Sequence, residues 1–435
     1  MKVRRPWTFW GVLLVGILAA SLRPDGITGL RARAKRLTTS GGAAAKTTVL
    51  LLKVYPMLPS RPLDWVTPRP VVERFRYPTS HGPAEGDLYR PSTPGPHPAV
   101  VVCLGVVPFG VDHPQVPRLG EALARSGFAA LLYWSPAMRD FRLDPADVAD
   151  IASAYDHLLA RPDIAPARSG LIGTCVGGAF ALMAAADPRI RDRVAFVCAY
   201  APYASMWTLA RDIVSATRQR DDGREPWAVD PLTRKVYLHS VTALLEADEA
   251  ARLRAAFAEP SRRLVGGPTL SEGGQAVLPI LTTLAAEETE AAVRRLPNAL
   301  QERLTALSPL HYLTDLHAPL IVLLHDRDDA VIPVGESRSL RDALAGRSGV
   351  RYTEFTVFRH MDPSKGKSSA IGLARELVRF GCAIYPVFRH DVARGAGRPP
   401  ALKDEVRRRS ENDVNFLHAQ VRRFSLRPST YTRAD

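Results

Sequence analysis

The 435-residue chain has only four cysteines, Cys103, Cys175, Cys198 and Cys382, and no two of them stand at C-x-x-C spacing. That excludes a disulfide framework and leaves no cysteine pair for a structural zinc site, so no metal is expected. Cys103 and Cys198 fall in the apolar runs Val100–Leu104 and Val194–Cys198. They read as small core residues, and so does Cys382. Acidic residues are scarce at the ends of the chain. Residues 1–53 carry ten Lys/Arg against one acid, for +9, and residues 391–435 carry ten against six, for +4. Of a net charge of +14, only +1 is left for the 337 residues between. A nucleic-acid-binding fold would spread basic residues over a face of its core, so no nucleic-acid partner is expected. Basic ends beside an apolar segment fit a membrane surface instead.

Charged residues are missing altogether from Trp7–Leu22, which follows Lys2, Arg4 and Arg5. As a helix these 16 residues would span about 24 Å, against a hydrocarbon core of about 30 Å. The run is long for the apolar stretch of a signal peptide and short for a membrane span. Small residues at Ala19-Ala20-Ser21 offer a cleavage site. Arg23, Arg31 and Arg33 on the far side leave orientation undetermined. The favoured reading is a chain anchored to a membrane by residues 7–22, since tilting and local thinning accommodate a short span. The alternative is an exported, soluble form after cleavage.

Residues 23–69 read as a basic linker with an apolar patch at Val49–Leu52 and prolines at 56, 59, 62 and 68. From residue 70 the rhythm changes. A strand pair is predicted around 71–89, and then strand and helix alternate: Val100–Leu104, helix 119–126, Phe128–Trp134, helix 148–159, Gly170–Gly173. Alternation of this kind predicts an α/β fold, a mostly parallel sheet with helices on both faces. Residues 205–307 interrupt it with an Ala-, Leu-, Arg- and Glu-rich stretch at helical spacing, and strands resume at Pro319–Leu324 and Tyr352–Phe358. The core therefore comprises residues 70–204 and 308–390, with 205–307 as a helical cap insertion. The basic tail, 391–435, carries Val414, Leu417, Val421 and Phe424 on one helical face, suited either to a membrane or to the core.

The chemistry concentrates at Gly173-Thr174-Cys175-Val176-Gly177-Gly178, between a short strand and the apolar helix 179–186. A nucleophile on a sharp strand-to-helix turn needs small neighbours two residues away, and Gly173 and Gly177 provide them. The turn lifts the side chain above the sheet and puts the Val176 amide at a helix N-terminus, where negative charge is favoured. Asp329, in His325-Asp326-Arg327-Asp328-Asp329, follows an apolar strand, and His360 follows the next strand. Nucleophile, acid and histidine come in that order along the chain, the one expected for a fold of this kind, with His360 as base and Asp329 as its orienting acid. Asp326 and Asp328 compete for the acid role but lie out of register with Val331-Ile332-Pro333. His325 adjoins the acid and is poorly placed as a base. His311, His317 and His113 read as surface or packing residues.

Residues from about 70 to 390 resemble the α/β-hydrolase superfamily. The elbow is similar to that of its dienelactone hydrolase branch, whose nucleophile is a Cys in Gly-x-Cys-x-Gly-Gly. Segments 120–133 and 308–319 fit the same resemblance. The family pattern Gly-x-x-Asp-x-x-Val-Pro falls on Asp329, with Asp326 in place of the Gly. Its oxyanion His-Gly falls on Leu104-Gly105, which implies the Val106 N–H as a second oxyanion donor beside that of Val176. Two features depart from the branch. The loop 105–117 offers only Asp112 where a Glu is expected, and the 205–307 insertion is extra, so dienelactone itself is not the implied substrate.

The reading is a hydrolase of a carboxylic ester, lactone or thioester, acting on a small-molecule acyl substrate through an acyl-enzyme on Cys175, without a cofactor. The alternatives are an acyltransferase on the same site and a non-catalytic α/β-hydrolase scaffold held at a membrane. With residues 7–22 uncleaved, the protein is expected to stay with membranes through a high-salt wash. Recovery of a soluble form starting near Leu22 would establish a signal peptide instead, and release by salt would show that the basic ends do the holding.

Overall fold

The computed structural model describes residues 67–389 except 108–109, 111–112, 259–268, 283, 358–359 and 361–368, together with scattered residues between 42 and 64. The expected anchor at 7–22, the 391–435 tail and Asp112 lie outside the described residues, as does most of the linker. Among the described residues, no helix is long and apolar enough to cross a membrane.

Eight strands form one sheet in the order β1-β2-β4-β3-β5-β6-β9-β10. They are β1 (Val71–Thr79), β2 (Gly82–Arg90), β3 (Ala99–Cys103), β4 (Ala129–Tyr133), β5 (Gly170–Thr174), β6 (Phe196–Tyr200), β9 (Leu320–Asp326) and β10 (Val350–Phe355). Only β2 runs antiparallel to its neighbours. The remaining pairs are parallel. This is a mostly parallel α/β sheet with helices on both faces. β3, β4 and β6 are buried along their whole length, which is why their sequences are continuous apolar runs rather than alternating ones.

Side chains still alternate between the faces. Val101 and Leu131 pack toward α3 (Ala146–Leu159) and α4 (Val176–Ala184), whereas Val100, Val102 and Leu132 pack toward α1 (Gln115–Arg125) and α12 (Ala370–Arg389). A short helix, α2 (Pro136–Arg139), begins the loop between β4 and α3. The strands and helices expected between residues 71 and 174 and the strands expected at 319–324 and 352–358 differ from the structure by a few residues at most, and a last helix, α12, runs on to Arg389. On that helix Cys382 is exposed, not a core residue as its sequence setting suggested. The helix has one apolar face toward the sheet, and Cys382 lies off it.

Between β6 and β9 the chain leaves the sheet for α5 (Met206–Ser215), α6 (Pro231–Val241), α7 (Ala247–Phe257), α8 (Glu272–Val277), α9 (Ala286–Arg294) and α10 (Asn298–Ala306). Asp230 caps α6 by accepting from the Leu232 N–H at 2.8 Å, and Pro231 opens it. This segment is not purely helical. A hairpin, β7 (Thr217–Arg220) and β8 (Gly223–Pro226), stands between α5 and α6. Its strands are too short and polar to show a period, but Asp221-Asp222 forms the two-residue turn and Gly223 follows with φ of 124°. At the exit from β6, the fully packed Glu336 of α11 (Val334–Ala343) accepts from the Ala204 and Ser205 N–H groups and from Thr208. Burial pushes its carboxyl up to about 7.

Candidate active site

Cys175 sits between β5 and α4 with φ of 56° and ψ of −137°. An L-residue is strained there. The conformation is held by the Cys175 N–H, which donates to the Tyr200 carbonyl of β6 at 2.8 Å, and by the Cys175 carbonyl, which accepts from Gly178 at 2.9 Å. Glycine is needed at 177 because a Cβ would lie 2.2 Å from the Cys103 carbonyl oxygen. The loop after β3 is laid directly against the elbow. Gly105, at φ of 73°, would bring a Cβ within 2.9 Å of both the Gly177 nitrogen and the Thr174 oxygen. Thr174 Oγ1 donates to the Leu104 carbonyl at 3.0 Å. The approach puts Val106 and the first residue of α4, Val176, on adjoining backbone, both with buried side chains. Among the described residues, neither of their amide N–H groups has a protein acceptor.

On the other side of Cys175, the loops after β9 and β10 bring Asp329 and His360 together. His360 Nδ1 donates to Asp329 Oδ2 at 2.7 Å. Cys175 lies close enough to the His360 ring for its charge to raise the ring's pKa. Asp329 has no exposure to solvent. Its Oδ1 accepts from the N–H groups of Val331 at 2.7 Å and Ile332 at 3.0 Å. Burial opposes its charge, but the His360 charge and hydrogen bond, His325 and the backbone donor outweigh that and hold the carboxyl below its usual value. Burial alone would lower the His360 pKa as well. The neighbouring Cys175 and Asp329 outweigh it, and the pKa stands well above the ordinary histidine value.

The competing residues are placed elsewhere. Asp326 is buried at the end of β9 and accepts from the Asp328 N–H at 2.9 Å. Asp328 is exposed and pairs with Arg220 at 3.2 Å. His325 lies behind the acid, buried, with Nε2 donating to the Ile332 carbonyl at 2.9 Å and standing 3.6 Å from Asp329 Oδ2. Its Nδ1 meets Ser337 Oγ at 2.6 Å. Burial holds its pKa below the ordinary value, and its hydrogen bonds brace the acid loop from behind. His317 is on the surface with Asp192, and His311 is exposed. His113 is half-buried in the loop after β3.

Sequence reasoning missed a set of side chains that hold the acid loop from the inserted segment. Arg220 donates to the Arg327 carbonyl at 2.7 Å, Arg218 to Asp329 O at 3.2 Å, Trp227 Nε1 to Ala330 O at 3.1 Å and Thr233 Oγ1 to Val331 O at 2.7 Å. The Asp-Asp-Gly turn was the available signal for the hairpin. Nothing in the sequence says that its arginines reach across to residue 329. Among the described residues, no group of three or more His, Cys, Asp or Glu is placed to hold a metal ion.

No protein-family model matches the chain, and no curated protein matches it in sequence. Solved structures share its general shape at low identity. Acylaminoacyl peptidase from Pyrococcus horikoshii is 14% identical, over 74% of this chain and 41% of its own, with a TM-score of 0.43. A 2,6-dihydroxy-pseudo-oxynicotine hydrolase is 16% identical over 87% of this chain and 95% of its own, with a TM-score of 0.43. The alpha/beta hydrolase GrgF from Penicillium sp. sh18 is 18% identical over 72% and 99%, with a TM-score of 0.41. The chain therefore matches less than half the length of the peptidase.

Two outcomes follow from the geometry. Iodoacetamide at neutral pH should modify Cys175 and the exposed Cys382. Cys103 and Cys198 should stay protected, because burial raises both thiols, Cys198 to about 12. His360→Ala should slow modification of Cys175 and leave Cys382 as an unchanged internal standard; equal slowing of both would deny the Cys175–His360 contact a role. Gly177→Ala should cost about 1–3 kcal/mol in urea unfolding, because backbone must move to admit the methyl group. An unchanged unfolding midpoint would show that the elbow is not tightly packed against β3.

Proposed function

We propose that the protein is a hydrolase of carboxylic esters, lactones or thioesters that works through an acyl-enzyme on Cys175. The observation that carries this reading is Cys175 on its strained elbow beside His360, whose ring is hydrogen-bonded to a fully buried Asp329. His360 takes the thiol proton as the sulfur attacks the carbonyl carbon, and Asp329 fixes the ring so that Nε2 faces the sulfur. The Val106 and Val176 N–H groups donate to the developing oxyanion, aided by the N-terminus of α4. Collapse of the tetrahedral adduct expels the alcohol or thiol, which takes its proton from His360. Water, deprotonated by His360, then releases the acid and restores the thiol. If an alcohol or thiol took the place of water, the same steps would make an acyltransferase. The inserted hairpin and helix that touch the acid loop stand beside the site, where shielding from water would favour that transfer.

The acid assignment has a direct test. Asp329→Asn should lower kcat on an activated ester by roughly 10³–10⁴-fold, the scale set by losing the orienting carboxylate. Asp328→Asn, exposed and pointing at Arg220, should change it little. Asp326 is a poor control because it is fully buried and supports the loop. Similar losses in the 328 and 329 variants would contradict the assignment.

A further inference from the structure

The helix α6 crosses the edge of the sheet where the candidate site lies. Near its start, Thr233 holds the acid loop after β9 through Val331. Near its end, Ser240 Oγ accepts from the Leu143 N–H, in the loop after β4, at 3.0 Å. β3, β5 and β6 lie between β4 and β9 in the sheet, so the strand that carries Cys175 runs beneath the span of this helix. Where its last turns meet the loop after β4 there is a cleft of about 460 Å³.

That cleft is strongly basic. Arg139 and Arg142 enter it from the β4 loop, Lys235 and His239 from α6, and Arg254 from α7. Asp140 is the carboxylate that lines it. Asp144, just outside, is engaged by Arg142 and lies 3.9 Å from Arg303. Among the described residues, Arg139, Lys235 and Arg254 have no carboxylate partner. Arg139 stacks over Trp134, Lys235 Nζ stands 3.3 Å from the centre of the Phe141 ring, and Arg254 Nε donates to Thr242 Oγ1 at 2.8 Å. Each cation is positioned by its stem or by an aromatic face, with its charge left uncompensated. Burial first, and then the charge of Arg142, hold Arg254 below the usual guanidinium value. Burial and Arg254 do the same to His239. Like charges brought together at such a cost are what a polyanion would relieve.

We infer that this cleft, built by the β4 loop with α6 and α7, binds a phosphate-type polyanion carried by the substrate at the end remote from its scissile carbonyl. Three unpaired cations, Arg139, Lys235 and Arg254, facing one carboxylate suit a multiply charged group better than a single carboxylate. Two strand spacings, a lateral offset of about 10 Å, separate β4 from the strand that carries Cys175, and neither Cys175 nor His360 lines the cleft. A phosphate held there cannot be the reacting group, so it serves recognition. The inference rests on the acyl-hydrolase reading for its substrate but not for its site.

Two measurements on the full chain separate the site from the chemistry. The first is calorimetric titration with pyrophosphate, and with glutarate as a carboxylate of similar reach. Cys175→Ala protein should bind pyrophosphate as the native protein does, more tightly than glutarate and with affinity that falls as salt rises. Lys235→Gln, at an exposed position, and the Lys235→Gln/Arg254→Gln pair should weaken it in steps. The second compares S-acetyl-4′-phosphopantetheine with S-acetylpantetheine, which share one thioester. The phosphorylated compound should have a kcat/KM about tenfold higher or more, the scale of one charge-assisted hydrogen bond. In the double variant the ratio should fall toward one. Glutarate binding as tightly as pyrophosphate, or pyrophosphate binding that Lys235→Gln leaves untouched, would overturn the inference. Binding that behaves as expected with neither thioester cleaved would uphold the anion site and refute the hydrolase reading instead.

Discussion

Asp329 carries its charge with no contact with water, and a bare carboxylate in that position would cost several kcal/mol. The loop around it is arranged to offset that cost. Two backbone N–H groups, from Val331 and Ile332, meet one oxygen, and His360 meets the other. Those N–H groups can point inward only if the carbonyls of the same loop find donors elsewhere. The Arg327, Asp329, Ala330 and Val331 carbonyls find them on Arg220, Arg218, Trp227 and Thr233, and the Ile332 carbonyl finds His325. The inserted segment therefore completes the acid loop. Its hairpin and the start of α6 stand where a shorter chain would leave those carbonyls to water.

The nucleophile is held by a different constraint, close backbone approach. β5 delivers Cys175 into a positive-φ conformation because Gly173 and Gly177 let α4 turn back over the strand, and because Gly105 lets the loop after β3 touch the turn. The two amides on that contact, Val106 and Val176, lie on the side of Cys175 opposite His360. One wall of the site is thus made by glycine contacts and the other by hydrogen bonds to a buried acid. α6 reaches from the acid wall to the β4 loop across the gap between them.

The parts that were legible in the sequence are those with strong local signatures. Fully buried strands gave continuous apolar runs, and in Gly-x-Cys-x-Gly-Gly the small residues two places either side of Cys175 mark a sharp turn between strand and helix. Register on Val331-Ile332-Pro333 singled out Asp329, the residue whose carboxylate meets His360 here. What was not legible depends on tertiary contacts. Arg218 and Arg220 look like surface charges on a polar hairpin until that hairpin is seen against residues 327–331. Arg139, Lys235 and Arg254 come from three separated segments, and no spacing rule joins them. Cys382 shares its apolar neighbourhood with the core cysteines, yet it lies off the buried face of its helix. The terminal segments carry the chain's net charge, and their reading rests on composition alone.

The central claim is that an acyl group passes through Cys175, and mass spectrometry of the enzyme during turnover tests it most directly. The full chain would be mixed with excess p-nitrophenyl butyrate, quenched in acid within the first turnovers and digested. One butyryl group should appear on the peptide containing Cys175, should disappear when the ester is exhausted, and should be missing from Cys175→Ala. Turnover with the acyl group on another residue, or undiminished turnover in Cys175→Ala, would contradict it.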